Sequence, residues 1–190
     1  MFLYRDPVKN IVSMLSMVGS IPKFMSNRFL SIMKNKMLNG LSPDPVIAQQ
    51  ALKDVELGLQ GGDEQRFAIV FYILHILCYL KGKHDTNIND HIVKYEDILN
   101  NPRKELEKIV SFLGRDKDNI DYTTCLEAMN KDSQAQSEDL SKEKLAAFKQ
   151  KNPVTPELVK KIDNCFQDYG LPPSKNFDDV FGRTIEPEDS

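Results

Sequence analysis

The residues best suited to chemistry stand at the start of the chain, in FLYRDPVKNIVS over Phe2–Ser13. Arg5 follows a short apolar, aromatic run and precedes Asp6-Pro7, a natural N-cap and first helical position. A guanidinium at such a strand-to-helix turn is placed for an anion, because the first helical amides point outward and the helix dipole favours negative charge there. Pro7 removes one of those donors. Ser13 lies six residues beyond Pro7, roughly 9 Å along the helix. A phosphate touching both side chains would therefore lie beside the first turns, with the arginine reaching along the helix flank. The plain structural alternative is a salt bridge from Arg5 to Asp6 or a neighbouring carboxylate, with Ser13 an ordinary small helical residue.

The second place is VKYEDILNNPRKELEKIVSFLG, Val93–Gly114. Tyr95 at the end of a strand could stack on a planar ring, and Glu96 or Asp97 could cap or orient the turn that follows. The structural alternative is a core aromatic followed by a capping pair. His75 lies in a nearly all-apolar helix and is expected to be a hydrogen-bonded core residue, His84 falls in a polar loop, and His91 opens a strand. None stands in a pattern with a nucleophile or at metal-ligand spacing. No catalytic residue and no metal site is assigned.

These residues need elements to hold them. Met1–Tyr4 has strand composition, and Val8, Ile11, Val12 and Leu15 recur at helical spacing after Pro7. Residues 19–40 show no clean period and are expected to be irregular or briefly helical. Asp44-Pro45 starts a helix with an apolar face from Val46 to Leu59, ending near Gly61-Gly62. The next helix, Glu64–Lys81, is apolar nearly all round and therefore central. Its run FAIVFYILHILCYL, Phe67–Leu80, is too short to cross a bilayer comfortably. Gly82–Asp90 reads as a loop and His91–Tyr95 as a strand. Asn101-Pro102 caps a helix with a Leu106, Ile109, Val110, Leu113 stripe and a stop at Gly114. Arg115–Ser141 should carry little regular structure, and a short helix is expected over Lys142–Lys149. Thr155-Pro156 caps the last helix, with Leu158, Val159, Ile162, Phe166 and Tyr169 on one face before Gly170.

The 190 residues suffice for one domain, expected over 1–172 with a polar, acidic, frayed tail over 173–190. A net charge of −3 from 25 basic and 28 acidic residues, with no basic stripe, argues against a nucleic-acid partner. Cys78, Cys125 and Cys165 are odd in number and far apart, which suits reduced thiols and mildly favours a cytoplasmic setting for this chain, with the Golgi the alternative for a full-length form. No secretory signal pattern and no membrane span is read in the chain. Strands alternating with helices suggest a parallel sheet whose strands are buried on both faces, yet two short strands cannot make such a sheet. The chain is either mostly helical with a minimal sheet or the C-terminal part of an α/β domain.

The two motifs together, in this order, resemble the sulfotransferase family. FLYRDPVKNIVS is similar to that family's segment for the 3′-phosphate of 3′-phosphoadenosine 5′-phosphosulfate, PAPS, in which an arginine and a serine eight positions later hold the phosphate, as Arg5 and Ser13 are spaced here. VKYEDILNNPRKELEKIVSFLG looks like its Tyr-Glu-Asp segment and Pro-capped helix ending in Phe-Leu-Gly. The resemblance covers about residues 1–20 and 88–114. It implies a P-loop-like α/β fold, incomplete here, mostly helical with a small parallel sheet remnant. It also implies transfer of a sulfuryl group from PAPS to a hydroxyl or amine on a small-molecule or carbohydrate acceptor. Arg5 and Ser13 would bind the 3′-phosphate, and Tyr95 would lie near the adenine. The family's phosphate-cradling loop with its lysine is not seen, since the glycines at 19, 40, 58, 61, 62, 82, 114, 170 and 182 form no such turn. Its late Arg-Lys-Gly segment is not seen either; KDSQAQSEDLS, Lys131–Ser141, stands roughly where it would fall. The expectation is therefore a C-terminal portion of a sulfotransferase, weakly active or inactive alone. The competing expectation is a non-catalytic helical binding or scaffold domain, pairing with a relative or a second copy through an open sheet edge. A weaker third is another P-loop family, such as a nucleoside kinase.

Overall fold

The computed structural model describes residues 1–18, 45–60, 62–86, 90–130 and 153–182. The chain divides into two compact units, Met1–Asp6 with Asn89–Lys151, and Pro7–Ile88 with Asn152–Ser190. The stretch 19–40 expected to be irregular or briefly helical, the run Lys131–Ser141 and the short helix expected over Lys142–Lys149 lie outside the described residues.

In the first unit, β1 (Phe2–Tyr4) pairs in parallel with β2 (Ile92–Lys94), in the register Phe2↔Ile92, Leu3↔Val93, Tyr4↔Lys94. Both short strands stand where aromatic and β-branched residues predict them. The Phe2 amide extends the ladder by donating to the His91 carbonyl at 2.8 Å. The chain turns helical directly after β2, in α4 (Tyr95–Asn100), where the sequence suggests strand through Tyr95. A further helix, α5 (Pro102–Phe112), begins at its proline without a side-chain bond from Asn101, so the fixed proline φ supplies the start. It ends as expected at Gly114, whose φ of +65° is one that glycine adopts without strain. The predicted Leu113 edge of its stripe is 59% exposed, while Val110 is buried.

Regular structure continues where little was expected. A 3-10 turn spans Lys117–Asn119, and α6 covers Tyr122–Asn130. Local capping explains both: Asp116 accepts from the Asp118 amide at 3.1 Å, and Asp121 accepts from the Thr124 amide at 3.1 Å and its hydroxyl at 2.6 Å.

The second unit is built around α3 (Glu64–Thr86), which packs against α1 (Pro7–Val18), α2 (Pro45–Gln60) and α7 (Pro156–Asp168). Ala68, Ile69, Val70, Ile73 and Ile76 of α3 are wholly buried, as its apolar composition requires. The helix runs on through Gly82 to Thr86, past the expected loop start, because an isolated glycine costs a helix only about 1 kcal/mol against alanine. At this length α3 could span a bilayer by composition alone over Glu64–His84, with half of that apolar window buried in the fold. His75 is exposed on α3 rather than a core residue, and partial burial still lowers its pKa. His84 lies on α3, not in a loop.

The last helix starts as predicted: Thr155 Oγ1 accepts from the Leu158 amide at 3.2 Å. After Gly170 the chain forms a 3-10 helix over Ser174–Phe181, inside the stretch expected to fray. Phe177 is the reason. Its ring lies 5.3 Å from Phe166 and 5.6 Å from Tyr72, and only 1% of it is exposed. The Ser174 amide also donates to Asp163 at 2.7 Å, tying the segment to α7.

Candidate functional site

The parallel register brings the first candidate residues together. Tyr4 and Lys94 are paired and end their strands, so Arg5 and Tyr95 leave the sheet side by side at its carboxyl end. That end of a parallel sheet is where α/β proteins bind ligands. The Arg5 guanidinium carbon stands 5.2 Å from the Tyr95 ring centroid, a cation over an aromatic face. Glu96, the next residue, closes the cluster. Its Oε1 is 3.7 Å from Arg5 Nε, and its Oε2 accepts from the Asp6 amide at 3.2 Å. Arg5 thus meets a neighbouring carboxylate, but that carboxylate is Glu96. The Glu96 side chain is 18% exposed, and its Oε1 is buried and accepts no hydrogen bond among the described residues.

Ser13 lies in the second unit, half-buried on α1 two turns after Pro7. Tyr95 is half-buried and begins α4 rather than ending β2. His91 stacks on Phe112 at 5.2 Å, at the opposite end of β2 from Arg5. Among the described residues no group of histidines, cysteines and carboxylates could hold a metal ion. Glu96 is the member of the cluster whose part was least legible. A Glu-Asp pair before a helix signals capping, whereas the amide that Glu96 accepts from belongs to a residue 90 positions earlier. The cluster offers a fixed cation, an aromatic face and a carboxylate at one turn, a set suited to a ligand with an anionic group and a planar ring.

Residues 1–181 match the family model described as the sulfotransferase domain. The chain belongs to the sulfotransferase family. No curated protein and no solved structure matches it. The sulfotransferase match takes in the Arg5 turn, the Tyr95–Gly114 segment and the 3-10 helix through Phe181, so all three are parts of one family domain in sequence. Sulfotransferase membership points to a transferase, and the strand and helix content, mostly helical with one two-stranded parallel sheet, is what the described residues show.

Proposed function

We propose that this sulfotransferase-family chain binds PAPS through its 3′-phosphate and adenine, for sulfuryl transfer to a hydroxyl or amine of a small-molecule or carbohydrate acceptor, within a P-loop-like α/β fold. The observation that carries this is the juxtaposition of Arg5 and Tyr95 at the carboxyl ends of two register-paired parallel strands, 5.2 Å apart. The residues present fit the group. A guanidinium matches phosphate oxygens, an aromatic face matches a purine, and the neighbouring carboxylate is engaged with the Asp6 amide. Arg5 and Ser13 hold the 3′-phosphate, Ser13 by its hydroxyl, on the support of their eight-residue spacing and the family membership. Tyr95 borders the adenine.

The donor supplies the sulfuryl group; this chain's assigned residues supply binding and orientation. Negative charge spreads over the sulfuryl oxygens in such a transfer, so cations at that end and a base for the acceptor's proton are also required. No residue here is assigned to either task.

The test is isothermal titration of the folded chain with adenosine 3′,5′-bisphosphate, beside Arg5→Ala and Ser13→Ala. Measurable binding that both variants weaken by about tenfold or more is the expected outcome, a loss of at least ~1.4 kcal/mol each. A folded chain that does not bind, or that binds equally well without Arg5, would overturn the assignment and favour a scaffold derived from a sulfotransferase.

A further inference from the structure

We propose that Glu96 is a positioning residue that orients the Arg5 guanidinium for its anion and fixes the strand-to-helix turn behind it. The inference rests on the assignment of Arg5 to phosphate binding. A carboxylate beside a phosphate-binding arginine is at first sight a poor choice, because it repels the anion. Its contacts give it another task. One oxygen accepts from the backbone amide of Asp6, the residue after Arg5, at 3.2 Å, and so anchors the turn from which Arg5 projects. The other stands 3.7 Å from Arg5 Nε, at the inner edge of the guanidinium fork. With Tyr95 packed under the cation at 5.2 Å, Arg5 is approached by a carboxylate at one edge and a ring on one face.

An arginine side chain has many rotamers, and a ligand would otherwise have to remove much of that freedom on binding. Glu96 removes part of it beforehand. That its Oε1 is buried without a hydrogen bond among the described residues, at a distance longer than a hydrogen bond, fits a pair able to shorten when an anion pulls the guanidinium into line. Two adjacent residues, Tyr95 and Glu96, then act on a cation from the far end of the sequence. The parallel register makes this possible, since Tyr4 pairs with Lys94.

The test uses the full chain. Wild type, Glu96→Ala, Glu96→Gln, Arg5→Ala and the Arg5→Ala/Glu96→Ala double variant are titrated with adenosine 3′,5′-bisphosphate. Circular dichroism confirms folding, and the arginine Nε–H resonances are recorded without ligand. Glu96→Ala is expected to weaken binding about tenfold, and Glu96→Gln, which keeps an acceptor for the Asp6 amide, by no more than about threefold. The double variant should bind as Arg5→Ala does, because Glu96 acts only through Arg5. The Arg5 Nε–H signal, identified by its loss in Arg5→Ala, should shift in Glu96→Ala.

Unchanged or tighter binding by Glu96→Ala, where Arg5→Ala binds weakly, would overturn the positioning role alone. So would an equal cost of Glu96→Ala in the Arg5→Ala background, or an Nε–H signal that does not move. If Arg5→Ala binds like wild type, the phosphate assignment fails with it, and the resonance still decides whether Glu96 orients Arg5. Should Glu96→Ala not fold, a modest loss in Glu96→Gln supports the proposal and a gain in affinity overturns it.

Discussion

Asp54 is a carboxylate taken almost wholly out of water, 6% exposed, and three donor groups make that tolerable. Arg66 donates through Nε at 3.1 Å and Nη2 at 2.7 Å, and the Tyr169 hydroxyl donates at 2.9 Å. Burial and the Asp54 charge together push the Tyr169 phenol well above the usual tyrosine range. Removing Arg66 strands a buried charge, whereas removing the phenol oxygen leaves the fork in place. Arg66→Ala should therefore cost about 2–3 kcal/mol and Tyr169→Phe about 1 kcal/mol, read from urea unfolding curves. Equal costs would mean that the guanidinium, half in solvent, contributes no more than a neutral hydrogen bond. The sequence offers no sign of this trio, because its members are 12 and 115 positions apart. Arg5 differs: its place between an apolar run and Asp-Pro is visible locally, and so was the strand it follows.

Helix α2 meets α3 through Gly58, and here two element-scale effects oppose each other. Alanine is the better helix former by about 1 kcal/mol. A Cβ at this position, however, would stand 2.8 Å from both the Phe67 Cβ and its backbone nitrogen. The backbone nitrogen cannot swing aside, so overpacking wins. Gly58→Ala should destabilise the protein by about 1–3 kcal/mol in a thermal melt. A raised midpoint would show that α2 can slide on α3 and that the close approach is not required. Helix starts at Pro7, Pro45, Pro102 and Pro156 and stops at Gly114 and Gly170 were legible, since proline and glycine act through their own backbones. The six-residue α4 was not, because its residues read equally well as strand end and cap. Nor was α6, whose start is capped by the Asp121 side chain and whose face packs on α5.

At the scale of the whole molecule, one exposed pair sets part of the acid limit. Partial burial raises the Asp63 pKa, but Lys161, at 2.8 and 3.0 Å, and the Arg66 amide outweigh it and hold Asp63 below its ordinary value. A carboxylate held below its unfolded pKa of about 3.9 contributes stability above that pH. The contribution fades as pH falls through the folded value. Since both side chains are more than a third exposed, the amount is under about 1 kcal/mol. Wild type should thus be more stable than Lys161→Met at about pH 6, with the gap closing as pH falls through the folded Asp63 value, by urea unfolding at each pH. A gap that widens on acidification would contradict this sign. The pair joins the turn before α3 to α7 across 98 positions and was silent in the sequence.

What the sequence determined by itself is local or rests on short spacings. It carried the two strands, the proline starts and glycine stops, the apolar centre of α3, the Arg5 turn, and the sulfotransferase membership that two ordered motifs suggested. Tertiary structure decided the rest. It set the register that places Arg5 against Tyr95, the turn of Glu96 toward the Asp6 amide, the exposure of His75, and the capture of Phe177 by Phe166 and Tyr72. The physical reason is that hydrophobic patterning and backbone preferences act within a few residues, while a hydrogen bond or ring contact between distant segments depends on where packing has already brought them.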